Sequence, residues 1–190
     1  MKEGIVEIFD TFLDSKFDNI HTCIPAKIIE YYGHKERKAK VQPLIKLTTS
    51  KNLKIEIPPI DDVPVIFSGT KEMRMVFKLQ KNDTGLLLFS EIGIGKFLNG
   101  FGNIVDSDDI NRFDLKDGIF IPGLFGFNFA PKPPENDNDF FLEYQDNFKL
   151  QVSDKTNYFQ ITDGSNKIKS GPTSIKINGS DVLPNLEILQ

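Results

Sequence analysis

The chain has 190 residues, of which 39% are hydrophobic, and it carries a formal net charge of −4. This length suits one medium domain or a small domain with an extension, with enough apolar residues for a buried core. The acidic balance argues against general nucleic-acid binding, because neutralising phosphates needs clustered lysine and arginine.

The first 21 residues predict an amphipathic helix. Their apolar side chains recur with the spacing of one helical face, at Ile5, Ile8, Phe9, Phe12 and Leu13. Acidic residues interrupt this segment every few positions, which excludes a signal peptide and a membrane span. We therefore expect the protein to be made in the cytoplasm without a signal peptide.

Residues 22–130 predict short strands with Gly and Pro corners. "CIPAKIIEYY" and "RKAKVQPLIKL" flank a turn at Gly33, and "RMVFKL" and "GLLLFSEI" flank a loop that ends at Gly85. The prolines of "IPPIDDVPVIF" cannot donate ladder hydrogen bonds, so they indicate bends or sheet edges. This pattern favours a small barrel of the OB type.

Cys23 is the only cysteine of the chain. It excludes an intrachain disulfide and a zinc site built on a cysteine cluster. Because its neighbours are apolar, we expect a buried structural thiol.

One basic stretch, from Lys27 to Lys54, holds eight Lys or Arg residues and two Glu residues. A solvated hairpin flank is the favoured interpretation. The alternative is an OB-fold protein that binds single-stranded nucleic acid with a basic, aromatic groove. The residues for such a groove are Tyr31, Tyr32, Lys35, Arg37, Lys38 and Lys40.

Residues 131–139 predict a linker, because prolines and polar residues replace apolar ones there. Residues 140–190 then predict short strands punctuated by turns, among them Asp163-Gly164 and Asn178-Gly179. Such a strip offers one apolar face and needs neighbouring chains or the barrel to cover it.

The sequence lacks the residue patterns that are typical of phosphate-binding loops and catalytic sites. "GIGKFLNGFGN" lacks the Gly-Lys-Ser/Thr of a phosphate loop, and the acidic residues fall in loops and on polar faces. A lysozyme or other glycoside hydrolase would need two carboxylates across a cleft, and no catalytic triad or nucleophile elbow occurs. We predict a non-enzymatic protein with no catalytic residues, cofactor or metal.

Four segments in a distinctive order carry a family resemblance. They are "VQPLIK" at 41–46, "IPPIDDVPVIF" at 57–67, "IGKFLNG" at 94–100 and "RFDLKDGIFIPGL" at 112–124. In these segments the chain resembles the central spike proteins, of the membrane-puncturing kind, from contractile-tail bacteriophage baseplates. The resemblance covers roughly residues 22–130.

The resemblance implies a mainly β architecture: an OB barrel over 22–130, then a trimeric β-helix or β-prism over 140–190. It further implies that Asp114 and Asp117 make turn hydrogen bonds, Gly118 reverses the chain, and Ile119 and Ile121 fill the barrel. The residues expected to shape the barrel are Pro58, Pro59, Asp62, Pro64, Asp114, Asp117, Gly118, Pro122 and Gly123. The expected trimer core is Phe148, Leu150, Val152, Phe159, Ile161, Ile168, Ile175 and Ile177.

The implied role is a homotrimeric spike in the virion tail baseplate that helps pierce the host cell envelope. Its expected partners are identical chains, baseplate hub or tail tube proteins and the envelope, without nucleic acid. The only histidines are His21 and His34, so the His-x-His metal tip of many such spikes has no counterpart. A hub adaptor is the remaining structural alternative.

Overall fold

The computed structural model describes a mainly β chain that divides into two compact units, Met1–Phe127 and Asn128–Gln190. The described residues are 4, 6, 8–9, 11–13, 20, 22–48, 52–107, 112–131, 140–145, 148–153, 158–163, 166–170, 174–177 and 180–184. The predicted linker therefore lies outside them, apart from Pro131.

Beyond residue 20, the N-terminal unit contains seven strands and two short helical segments among its described residues. The strands are β1 (Cys23–Tyr31), β2 (Lys38–Pro43), β3 (Leu47–Thr48), β4 (Lys54–Ile55), β5 (Ile60–Pro64), β6 (Thr84–Phe89) and β7 (Gly118–Pro122). The helical segments are α1 (Gly95–Leu98) and a 3₁₀ turn (Leu115–Asp117).

The described residues between Gly4 and Leu13 have helical backbone. Four of their apolar side chains are more than half exposed: Val6, Ile8, Phe9 and Phe12. Ile20 has no regular structure, and the other positions of the predicted helix lie outside the described residues. None of the helices in the described part of the chain is long and apolar enough to cross a membrane.

Five strands of the N-terminal unit form a curled antiparallel sheet in the order β5-β2-β1-β6-β7. The chain continues beyond β5 so that Val65 bridges Phe120 of β7 in parallel orientation. The backbone N–H of Ile66 then donates to the Phe120 carbonyl at 3.0 Å. These bonds connect the two edge strands, so the sheet curls into a half-barrel.

Alternate residues of these strands form one apolar core inside the curl. This is the arrangement that the two-residue period of a strand dictates when one face of the sheet is covered. The core residues are Ala26, Ile28, Ala39, Val41, Val63, Val65, Leu87, Phe89 and Phe120.

The prediction that Ile119 and Ile121 fill the barrel is wrong. Phe120 is fully buried, whereas Ile121 is 36% exposed. The strand therefore turns its other set of alternate residues inward, beginning with Gly118. The backbone of Gly118 is ordinary extended chain (φ −70°), so it needs no glycine freedom. Its lack of a side chain matters because a Cβ would lie 3.0 Å from Leu87 Cδ1.

Two further expectations for this unit are wrong. Arg74–Leu79 is not a strand, and Arg74 makes only an isolated bridge to Gly69. β6 already pairs with β1 and β7 on its two sides, so no partner position is left for it. Cys23 is exposed, because the alternate residues that face the core in β1 are Ala26 and Ile28.

The described residues of the C-terminal unit form a six-stranded antiparallel meander in which each strand pairs with its neighbours in sequence. Its strands are β8 (Phe140–Tyr144), β9 (Phe148–Ser153), β10 (Tyr158–Asp163), β11 (Asn166–Ser170), β12 (Ser174–Ile177) and β13 (Ser180–Pro184). These ladders lie within one chain.

The inward position of Phe120 can be tested against its neighbour. We expect Phe120→Ala to lower the free energy of unfolding by about 3–5 kcal/mol, because it empties a fully buried aromatic site. Ile121→Ala should cost less than about 2 kcal/mol, since that side chain is partly exposed. Urea unfolding of the full chain measures both, and equal losses would contradict the observed register.

Gly85 provides a second test of the close approach between β6 and β7. A Cβ there would lie 2.6 Å from Phe120 Cζ and would also meet the Ile121 carbonyl. We expect Gly85→Ala to destabilise the unit by about 1–3 kcal/mol through overpacking. Gly95→Ala is the matched control: a Cβ there meets no atom within 4 Å, so calorimetry should show no loss of melting temperature.

Candidate functional site

The clearest candidate surface is the apolar face of the C-terminal meander. Backbone register aligns one apolar residue from each of five consecutive strands in a single row. The row consists of Leu142, Leu150, Ile161, Ile168 and Ile177. A neighbouring row pairs Phe140 with Val152, and positions 159, 170, 175 and 183 continue it. We call these two rows the meander face.

All eight residues predicted for the trimer core fall on this side of the sheet by backbone register. Seven of them belong to the two rows, and Phe148 follows one step further along β9, opposite Tyr144 and Asp163. The side chains at 159 and 175 lie outside those described. Sequence reasoning left out Phe140 and Leu142, although the alternation in "FFLEY" is a signal that could have found them.

The opposite side of the meander is polar. Register aligns Glu143, Lys149, Thr162 and Lys167 in one row across four strands. In the adjacent row, the amide of Gln160 donates to the hydroxyl of Thr162 at 3.0 Å. The sheet therefore has one mostly apolar and one mostly polar side, although Gln160 on the polar side is only 8% exposed and Phe141 belongs to the same row.

Much of the meander face is open within one chain. Leu142 and Val152 are each 44% exposed, and Ile168 and Ile177 are each 43% exposed. Phe140 is 63% exposed. Scattered apolar side chains are normal on a protein surface, but aligned rows of them are typical of interaction sites. The meander face therefore has the chemistry of an assembly surface.

The prolines predicted to shape the barrel lie around β5, an edge strand of the curled sheet. Pro58 and Pro59 are exposed in the coil before it, and Pro64 is its last residue. Asp62 adopts a positive φ of 57°, where the pairing of β5 with β2 shifts register. This is the geometry of a β-bulge, which bends an edge strand.

The segment before β7 uses its two aspartates on backbone groups. Asp114 Oδ1 accepts a hydrogen bond from the Lys116 N–H at 3.0 Å, and the Asp114 carbonyl accepts from the Asp117 N–H at 3.0 Å. The buried Asp117 carboxylate accepts from the Ile94 N–H at 3.4 Å. Both aspartates thus bind turn and loop backbone.

β7 ends at Pro122 and Gly123, as the Pro-Gly-Leu stop implies. Gly123 adopts a positive φ of 107°, which favours glycine. Its N–H donates to the Thr84 carbonyl at 3.0 Å, and the Thr84 hydroxyl donates to the Leu124 carbonyl at 2.6 Å. These bonds connect the end of β7 to the start of β6.

Part of the basic stretch is neutralised by the β5 bulge. Lys38 Nζ lies 3.3 Å from Asp62 Oδ1, and Lys40 Nζ lies 3.0 Å from Asp61 Oδ1. The Tyr32 hydroxyl donates a hydrogen bond to Asp61 Oδ1 at 3.4 Å. The hydrogen bond and charge of Asp61 raise the pKa of Lys40. Of the residues predicted for a nucleic-acid groove, Lys38, Lys40 and Tyr32 are therefore engaged with carboxylates.

Comparison with known proteins identifies the N-terminal unit. The family model described as the Phage protein Gp138 N-terminal domain matches residues 24–123. The chain belongs to this family. The match covers almost all of the four segments noted in the sequence, and it confirms that their resemblance is to a phage protein family. No curated protein matches the chain.

The Gp138 N-terminal domain thus corresponds to the curled sheet from β1 to β7. The meander lies beyond the matched residues, so its role has to be inferred from the side chains on its own two faces. Membership of a phage protein family is consistent with a structural role in a phage particle.

The Tyr32–Asp61 contact gives a test by pH. Desolvation, followed by the charges of Asp61 and Asp62, raises the pKa of Tyr32 above its ordinary value of 10.0. The stability this contributes is present below pH 10.0 and is lost as the pH rises through the folded-state pKa. We expect Asp61→Asn to lower this pKa, as measured by the tyrosinate ultraviolet absorbance that Tyr32→Phe removes.

The matched control is Glu56→Gln, which removes the carboxylate that lies 3.4 Å from Lys46. It should leave the Tyr32 titration unchanged. An Asp61→Asn protein with the wild-type titration would show that the contact does not exist in solution.

Proposed function

We propose that this protein is a non-enzymatic, homotrimeric central spike of a phage-like tail baseplate, which helps to pierce the host cell envelope during injection. The observation that carries the proposal is the meander face, an exposed apolar surface that follows a phage protein domain in the same chain. Its apolar rows need a partner, and identical chains supply an identical apolar surface.

The N-terminal unit supports an OB-type barrel as the base of the spike. Its strand order β5-β2-β1-β6-β7 and the parallel bridge from Val65 to Phe120 are the connections that would close five strands into such a barrel. The β5 bulge at Asp62 and the tight β6–β7 contact at Gly85 supply the strong bending that a small barrel requires.

The C-terminal unit would then form the prong. Three copies of the amphipathic sheet, with their meander faces turned inward, make a triangular β-prism with a shared apolar core and polar outer walls. Two copies could also cover each other as a sandwich. Three are favoured by the resemblance of the N-terminal segments to trimeric spike proteins.

A prism of this kind suits a mechanical role. Burying apolar area contributes about 25 cal/mol per Å², and every strand edge shared with a neighbour adds hydrogen bonds. The resulting rigid body would transmit the force of tail contraction to the envelope. Its base would meet baseplate hub or tail tube proteins.

The oligomeric state tests the proposal. We expect the intact chain to have the mass of a trimer by light scattering on a sizing column, and a chain truncated after Pro134 to be a monomer. A trimer that persists after truncation would place assembly in the N-terminal unit and favour a hub adaptor. A monomeric intact chain would remove the spike.

A matched pair of variants on β11 tests the meander face itself. Ile168→Glu places a carboxylate in the apolar row, and we expect it to convert the trimer to monomers, because an unpaired charge cannot be buried. Lys167→Glu places the same side chain on the polar side, and we expect it to remain trimeric. Equal behaviour of the two would exclude the meander face as the interface.

A further inference from the structure

Beside the β1–β2 hairpin lies a cavity of about 580 Å³ that neither the family match nor the proposed spike explains. Its charged and aromatic lining comes from the hairpin and from the segment after β5. The residues that concern us are His34, Lys35, Arg37, Phe67, Arg74 and Val76. We call this space the hairpin cavity; all of its lining belongs to the N-terminal unit.

Three cations converge on the hairpin cavity without counter-charges. Its lining includes Lys35, Arg37 and Arg74. In the described part of the chain, no acidic residue lines the cavity. Within that same part, no carboxylate lies within ion-pair distance of these three side chains. Lys38 and Lys40 on the same hairpin are, by contrast, paired with Asp62 and Asp61. In a chain with a net charge of −4, such a concentration of positive charge favours an anion.

The backbone holds the two arginines in place. Arg37 adopts a positive φ of 55°; its N–H donates to the Gly33 carbonyl at 2.9 Å, and its carbonyl accepts from the Val65 N–H at 2.8 Å. Arg74 bridges Gly69, where a Cβ would lie 2.6 Å from Arg74 Cβ. These contacts fix the backbone at both positions before any ligand arrives, so binding has to order only the two exposed arginine side chains.

The remaining wall is apolar and aromatic. Phe67 lies edge-on to the His34 ring, with centroids 5.9 Å apart, and Tyr31 Oη lies 2.8 Å from His34 Nδ1. Val65 and Val76 complete this side. A ligand that fills the cavity therefore carries both an anionic group and an organic body.

We propose that the hairpin cavity binds the phosphate group of an organic phosphate, either a small soluble molecule or a lipid headgroup. The planar forks of Arg37 and Arg74 match phosphate oxygens in bidentate geometry, and Lys35 adds a third charge suited to a dianion. A nucleic-acid strand fits less well, since a strand needs a continuous basic track. Here the track is interrupted by Asp61, Asp62 and their paired lysines.

The test uses two probes with the same phosphate monoester. Glycerol phosphate represents the soluble source, and phosphatidylcholine vesicles containing phosphatidic acid represent the headgroup. We expect the full chain to bind at least one of them by calorimetry, with affinity that falls as salt rises. The double variant Arg37→Gln/Arg74→Gln should bind at least about tenfold more weakly, because charge-assisted hydrogen bonds are lost.

The control is Lys54→Gln/Lys81→Gln, which removes the same charge from exposed positions outside the hairpin cavity. It should bind as the wild type does. Saturation by glycerol phosphate identifies a soluble ligand, and binding to vesicles alone identifies a headgroup. If the arginine variant melts early, Lys35→Gln at the exposed hairpin tip should still weaken binding.

Two results would overturn the proposal: no binding of either probe by the wild type, or an equal loss in the lysine control. Neither result depends on oligomeric state, so the failure of this site and the failure of the spike are distinguishable.

Discussion

The alternation of side chains between the two faces of a strand governs both units of this protein. A shift of one residue in the pairing register of a strand moves every side chain of that strand to the other face of the sheet. In the N-terminal unit one set of alternate residues, ending with Phe120, is buried inside the curl. In the meander the same rule gathers the apolar residues into two rows on one side. The first unit covers its apolar face by curling, whereas much of the meander face stays exposed within one chain.

The curl of the N-terminal sheet depends on close backbone approach and on the bulge at the edge. At Gly85 a Cβ would collide with β7, and at Gly118 a Cβ would lie tightly against the Leu87 side chain of β6. Asp62 provides the local reversal of φ that bends β5. The continuation of β5 can then reach β7 at Phe120. The same small set of residues therefore sets the shape of the sheet and closes its two edges.

The bulge also decides the electrostatics of the neighbouring hairpin. Because it places Asp61 and Asp62 beside Lys40 and Lys38, it removes the centre of the basic stretch that the sequence displays. Among the described residues, Lys35 and Arg37 at the hairpin tip have no carboxylate within ion-pair distance, and Arg74 joins them from a distant part of the chain. A stretch that looks uniformly basic in sequence thus becomes a neutral strand with a local positive cavity.

The sequence by itself determined the strand-forming segments of β1, β2 and β6, the turn at Gly33, and the family to which residues 24–123 belong. It also placed the apolar residues of the meander, since period-two alternation is local information. Only the tertiary structure decided that Phe120 rather than Ile121 is buried, that Cys23 is exposed and that Arg74–Leu79 forms no strand. Alternation gives the period of a strand, but long-range pairing decides which face is covered and which segments find a partner.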